Sequence, residues 1–300
     1  MEKEQLISKN KISRSGDLFL IAAVFAWGVN FPFAKLALGF MDPVVFSATR
    51  YGVASILLFC ILWQKKTSIA ISFKEVLQLI VVGLFGVTLF QGGWAYGLNL
   101  TSASKASVLI TTSPIFAALI SAFLGNRPSF LSWCGILLAF FGVAVVINNS
   151  LTEITMGIGT IVGDLLIVGA SFMWVLYTFV SKPIVSRRGP ILVTAWSMFF
   201  GAAMLAIAGI PAFILQDWNM VSIDGWLSWA FTAVFGAALA FVWYCAGIVR
   251  IGITRGMVYG FLIPVVAILT SVLFFGEVMT LVQLFGSVIV LVGVKMTRSG

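Results

Sequence analysis

Histidine is absent from this 300-residue chain, cysteine occurs three times, and only 9% of the residues are charged. With no histidine and with Cys60, Cys134 and Cys245 isolated inside apolar stretches, neither a metal site nor a disulfide framework is expected. The phosphate-binding pattern G-x-x-x-x-G-K-[ST] is also missing, which excludes an ATP-driven pump of that class. The ten acids, among them Asp17, Asp42, Asp164 and Glu277, fall in tails, loops or the ends of apolar runs. A proton relay through the middle of a membrane therefore has no obvious member. Soluble domains carry about 25% charge, so the scarcity of charge removes that class as well.

What remains is apolar: 61% of residues are hydrophobic and the mean hydropathy is +1.11. A helix needs about 20 residues to cross the hydrocarbon core. Runs of that order recur at 18–38, 44–63, 74–98, 104–123, 130–148, 160–181, 190–213, 226–248, 256–275 and 280–296. A membrane β-barrel would alternate polar and apolar in segments of about ten residues, so these unbroken runs predict helices. With the N-terminus inside, fifteen of the 18 Lys and Arg fall on that side, the asymmetry expected of ten spans with both termini cytoplasmic. The net charge of +8 follows from this placement, and no nucleic-acid partner is expected. The expected class is an all-α polytopic protein of the cell inner (plasma) membrane. Its N-terminal stretch, with no small-residue cleavage site, reads as a retained tail.

The chain also repeats itself. At an offset of 147 residues, Gly16-Asp17-Leu18 meets Gly163-Asp164-Leu165, Trp27 meets Trp174, Asn30 meets Tyr177, Lys35 meets Lys182, and Pro43 meets Pro190. At 150, Phe85-Gly86 meets Phe235-Gly236, Trp94 meets Tyr244, Gly97 meets Gly247, Lys105 meets Arg255, and Pro114 meets Pro264. One further residue of shift aligns Gly125, Gly135 and Gly142 with Gly276, Gly286 and Gly293. Hydrophobicity alone cannot align charged residues and tryptophans. Each copy holds an odd number of spans, so the second enters the membrane from the opposite face, the architecture of alternating-access carriers. The predicted organisation is a tail at 1–17, a five-helix repeat at 18–149, an extracytoplasmic linker at 150–159 and an inverted five-helix repeat at 160–300.

In AWGVNFPFAKLAL with DPVVFSATRYGVASILL, in SPIFAALISAFLGNRPSFLSWCGILLAFFGVAVV, and in IPVVAILTSVLFFGEVMTLVQLFGSVIVLVGV, the chain resembles the EamA type of the drug/metabolite transporter superfamily. One departure stands out: Gly276-Glu277 follows the family, whereas its first-repeat counterpart is Gly125-Asn126. The resemblance implies an exporter or exchanger of small metabolites, with amino-acid exporters among its members. It also implies a cavity lined by the first four helices of each copy, the fifth and tenth packing outside. Purines, sugar derivatives and metallophores are the alternative cargoes, a membrane enzyme a remote one. Neither catalytic residues nor a cofactor is expected; the partners are a small-molecule substrate and the lipid bilayer, with a monomer as the working expectation.

Polar and aromatic side chains within spans are the candidates for substrate contact, because lipid disfavours them. They are Trp27, Asn30, Gln91, Trp94, Thr111, Trp174, Tyr177, Tyr244 and Tyr259. Packing and interfacial belts compete with that role for each aromatic. Lys35, Arg50, Lys105 and Arg255 are candidates for gating or for drawing in a carboxylate; snorkelling to headgroups competes. Arg50, two turns into its span, matches the family's arginine there. Pro114 and Pro264 fall mid-span and are expected to kink their helices.

Overall fold

The computed structural model describes residues 2–100, 109–148, 158–275 and 280–299, and every regular element among them is helical. The tail and the first apolar run form one helix, α1 (Glu2–Leu38). It is followed by α2 (Pro43–Gln64), α3 (Phe73–Gly83), a π-helical stretch Leu84–Leu89, and α4 (Phe90–Leu100). Next come α5 (Ser113–Phe123), α6 (Phe130–Asn148), α7 (Ile158–Arg188), α8 (Pro190–Ala208) and the short α9 (Ile210–Leu215). The second copy continues with α10 (Ile223–Phe231), a π-helical stretch Thr232–Leu239, and α11 (Ala240–Ile251). It ends with α12 (Ile253–Met257), a 3-10 stretch Val258–Phe261, α13 (Leu262–Phe275) and α14 (Leu281–Ser299). Among the described residues five stretches are long and apolar enough to cross a membrane, and four shorter apolar helices accompany them. With α1 this is consistent with the expected ten spans. The linker at 150–157, Lys105 and Gly276-Glu277 lie outside the described residues.

Local chemistry sets the helix starts. The Asp42 carboxylate accepts the amides of Val44 (2.8 Å) and Val45 (3.4 Å), and Pro43 occupies the first helical position, where its missing N–H costs nothing. Gly189, at φ +82°, turns the chain between α7 and α8, and Pro190 opens α8. Ser72 and Glu75 form a reciprocal capping box at α3, and Glu75 also pairs with Arg188 at 3.1 Å, tying the start of α3 to the end of α7.

Contacts between the halves exchange under the sequence repeat. A side chain at Gly97 would stand 3.0 Å from the Gly163 carbonyl oxygen; one at Gly247 would stand 3.1 Å from that of Gly16. Since Gly16 is equivalent to Gly163 and Gly97 to Gly247, the packing of α1 on α11 and that of α4 on α7 are one contact made twice. Both π-helical stretches obey the same relation: each contains the Phe-Gly pair of the repeat, Phe85-Gly86 or Phe235-Gly236. The ring of Tyr177 fills the space over Gly86, and the amide of Asn30 fills that over Gly236.

Two cores result. The larger lies among α2, α7, α8 and α11, with Tyr51, Leu58, Val175, Tyr177, Met198 and Phe241 buried in it. A separate one, including Ile136, Ala139, Val143 and Val290, joins α6 to α14. Large apolar side chains such as Leu18, Phe25, Ile56 and Leu137 point outward, as they do where lipid is the solvent.

Candidate functional site

A cavity of about 120 Å³ lies between the halves, roomy enough for several waters or a small metabolite. The π-helical stretches, a helix break and a 3-10 stretch shape it. Helix pairing is interrupted at Thr111–Thr112 ahead of α5, and tightened in the 3-10 stretch Val258–Phe261 ahead of α13. Pro114 therefore does not kink a continuous helix as expected: it sits in the first turn after a break, where the amide it lacks has no intrahelical partner to lose. Pro264 lies in the first turn of α13, directly after the 3-10 stretch and within one unbroken helical run. At the break Thr112 Oγ1 donates to the Leu109 carbonyl and lies 2.7 Å from Ser171 Oγ, so the loosened backbone is satisfied locally. Thr111, Tyr259 and Gly260 come from these two places and face the cavity.

The walls are aromatic. Trp27 and Trp174, equivalent in the repeat, meet edge to face at 5.4 Å and 82°. Trp174 also packs on Tyr244 at 4.8 Å, Phe90 at 5.0 Å and Phe241 at 5.2 Å. The indole of Trp27 donates to the Gly236 carbonyl oxygen at 3.0 Å, an acceptor within the π-helical stretch, whose wide turns loosen the backbone pairing. Tyr244 is anchored by its hydroxyl, 2.9 Å from Thr178 Oγ1.

Among the described residues, one charge enters this wall. Arg50 is 2% exposed; its Nη2 donates to Gln91 Oε1 at 3.0 Å, and its guanidinium lies 4.7 Å from the Phe46 ring centre and 4.8 Å from that of Tyr51. Its Nε, also buried, has no hydrogen-bond partner. No carboxylate among the described residues pairs with it. A cation removed from water without a counterion costs several kcal/mol, more than one amide and two ring faces return.

At the end of the bundle where α1 begins, the cavity is bounded by Tyr259, whose hydroxyl donates to Asp17 Oδ1 at 2.9 Å. Ser121 on α5 and Thr254 on α12 bridge the halves at 2.8 Å. A phenol donating to a carboxylate contributes about 1.5 kcal/mol or more. Tyr259→Phe is accordingly expected to shift the balance toward separation of α1 from α12 by about tenfold. The measurement is the distance distribution between spin labels at the exposed positions 14 and 255, in a background lacking Cys60, Cys134 and Cys245. An unchanged distribution would show that this bond does not hold the end shut.

Of the residues read from the sequence, Trp27, Asn30, Arg50, Gln91, Trp94, Thr111, Trp174, Tyr244 and Tyr259 line the cavity. Tyr177 does not: it stacks behind Trp174 at 4.9 Å with its hydroxyl 3.1 Å from Cys245 Sγ, so it supports the wall from the rear. The physical reason is the close approach at Gly86, which leaves room for the ring between α7 and the first π-helical stretch. Arg255 is exposed on α12, away from the lining. The side chain of Lys35 lies outside the described part of α1. Tyr51, Phe90, Ser171 and Phe241 line the cavity without having been singled out. Helical spacing could have found two of them: Phe241 precedes Tyr244 by three residues and Phe90 precedes Trp94 by four.

The sequence profile of the EamA-like transporter family matches residues 14–148 and again 161–298. The chain is 28% identical over 278 residues to the uncharacterized transporter YyaM of Bacillus subtilis (strain 168), covering 91% of this chain and 90% of that one. An uncharacterized transporter of Archaeoglobus fulgidus is 27% identical over 282 residues, covering 92% and 96%. The WAT1-related protein At3g02690, chloroplastic, of Arabidopsis thaliana is 27% identical over 294 residues, covering 93% and 68%. A solved structure described only as a crystal structure of a protein superposes with a TM-score of 0.81 at 18% identity, covering 94% of this chain and 96% of that one.

Proposed function

The chain belongs to the EamA-like transporter family, a membrane transporter by that membership, and from this premise we propose that it exports a small carboxylate-bearing metabolite, an amino acid or a related compound, from the cytoplasm. The single observation that carries this reading is Arg50, a buried cation in the cavity wall with an unpartnered Nε and, among the described residues, no acid beside it. A substrate carboxylate supplies the missing counterion, and the arginine fork suits its two oxygens. The Trp27, Trp174, Phe241 and Tyr244 walls accept the apolar remainder of the molecule.

The mechanism we propose is alternating access by facilitated diffusion or exchange. The repeats at 18–149 and 160–300 rock about the cavity, with both termini cytoplasmic and the protein in the inner (plasma) membrane. The exchange of equivalent contacts between the halves supports this, since rocking one half swaps the roles of matched interfaces at the two ends. The hydroxyl contacts Tyr259–Asp17 and Ser121–Thr254 would then be made on one side of the cycle and broken on the other. Purines, sugar derivatives and metallophores remain the alternative cargoes.

The test is counterflow in liposomes holding the purified full chain: internal unlabelled carboxylates should drive uptake of labelled carboxylate, whereas internal nucleobases or sugars should not. Counterflow by a nucleobase or sugar with none by any carboxylate would replace this reading with another cargo.

A further inference from the structure

Arg50 carries a second consequence, which rests on the carrier reading above. Within the carboxylate class proposed above, we infer that the transported species is not the amino acid itself but a related net monoanion with an apolar body and no ammonium group, so that its export carries charge and is drawn outward by an inside-negative membrane potential.

The argument counts charges and acceptors in the wall. Among the described residues the lining contains one cation, Arg50, and no Asp or Glu. A substrate carboxylate makes that site neutral; a zwitterion would return it to net positive and place its ammonium in a cavity that already holds a guanidinium. An ammonium also brings three donors that must be met when water is removed. Two acceptors are already engaged: Gln91 Oε1 receives Arg50, and the Gly236 carbonyl receives the Trp27 indole. Asn30 Oδ1 is a buried, unpartnered oxygen of a lining residue, and the remaining side-chain acceptors of the described lining are neutral hydroxyls, none of which balances the charge of an ammonium. Asp17, the nearest acid joined to the wall, sits beyond Tyr259 and accepts its hydroxyl. Two residues of the lining thus carry a buried, unpartnered polar atom, the donor Nε of Arg50 and the acceptor Oδ1 of Asn30. They suit a carboxylate beside a single neutral donor, such as a hydroxyl or an amide N–H.

The energetic consequence follows from the same charge count. The chain has no histidine, and among the described residues no acid lines the cavity to exchange a proton with substrate. A monoanion needs none, because the potential itself acts on its charge.

Liposomes holding the full chain, loaded with 3-phenylpropanoate at a tenfold outward gradient without other permeant ions, provide the test. The readout is a potential-sensitive dye together with label efflux. Anion efflux through the protein should make the interior positive by about 60 mV, the equivalent of a tenfold gradient of a monovalent ion. Leakage of the neutral acid is electrically silent and does not mimic this. L-Phenylalanine and phenethylamine, which share the phenyl body, should leave no faster than from protein-free vesicles. Protein-dependent efflux of phenylpropanoate with no potential would overturn the inference, as would faster movement of phenylalanine. If neither moves while another carboxylate shows counterflow, the inference fails and the exporter reading stands. If no carboxylate shows counterflow, both fail.

Discussion

Replacing Arg50 by Gln is expected to reduce carboxylate flux in liposomes by at least about a hundredfold while leaving the empty protein as stable as the parent, or more so. The two halves of this expectation have one cause. Arg50 is buried, donates to Gln91, lies against Tyr51 and has no acid beside it among the described residues, so in the empty protein it is a desolvated charge that stability alone does not favour. Glutamine keeps a donor for the Gln91 oxygen and removes the charge. Truncating one partner of a buried, hydrogen-bonded charge pair costs about 2–5 kcal/mol of binding, the middle of that range being a factor of several hundred. Arg50→Lys keeps the charge without the planar fork and should retain a measurable fraction of flux. Melting in detergent, with and without substrate, separates the effects: the variant should melt no lower than the parent and lose the substrate-induced rise. A variant that melts far lower would make Arg50 a structural residue; one that transports normally would remove it from the site.

The second large effect is structural and falls outside the cavity. Gly293→Leu is expected to destabilise the protein by more than about 3 kcal/mol, because overpacking against backbone cannot be relieved by a rotamer change. A Cβ at Gly293 would stand 2.5 Å from the Ala139 amide nitrogen and 2.7 Å from the Gly135 carbonyl oxygen, both main-chain atoms of α6. The crossing of α6 and α14 must open, which also breaks the Ser132–Thr297 contacts at 3.4 Å. Fluorescence size-exclusion chromatography of the variant should show aggregate in place of the monodisperse peak. Gly293→Ala should be milder and still measurable, since the first added carbon already makes the clash. Whatever fraction folds should transport at the parental rate per molecule, because none of the described side chains of either helix contributes to the lining. Normal yield and melting for Gly293→Leu would mean that this close crossing is not needed.

Trp27 and Trp174 were legible as a pair because the repeat put them in register, and the fold brings their rings together. Arg50 was legible as a rare charge inside a span, and burial in the wall gives it the environment that makes it useful. Tyr177 was equally legible as the mate of Asn30, yet the two differ in role. Asn30 is short, so from its nest against Gly236 it still reaches the lining, whereas the longer ring of Tyr177 fills the gap over Gly86 and faces away. Pro114 and Pro264 mark the right places in the chain, but a proline is compatible with either a kink or a fresh helix start. Only the pairing of the residues before them, broken at Thr111–Thr112 and tightened to 3-10 at Val258–Phe261, distinguishes the two.

The amino-acid sequence by itself determined the membrane class, the helical build, the internal repeat and the family, because lipid demands long apolar runs with satisfied backbone and because duplication leaves charged and aromatic residues in register. The tertiary structure alone decided which side chains share the cavity, that Arg50 has no acid beside it among the described residues, and that Pro114 follows a helix break whereas Pro264 follows a 3-10 stretch. Periodicity specifies which residues lie on a common face of one helix. The rotation of that face toward a partner is set by packing, here by glycines that let helices of opposite halves touch and by π-helical turns that open space for Asn30 and Tyr177.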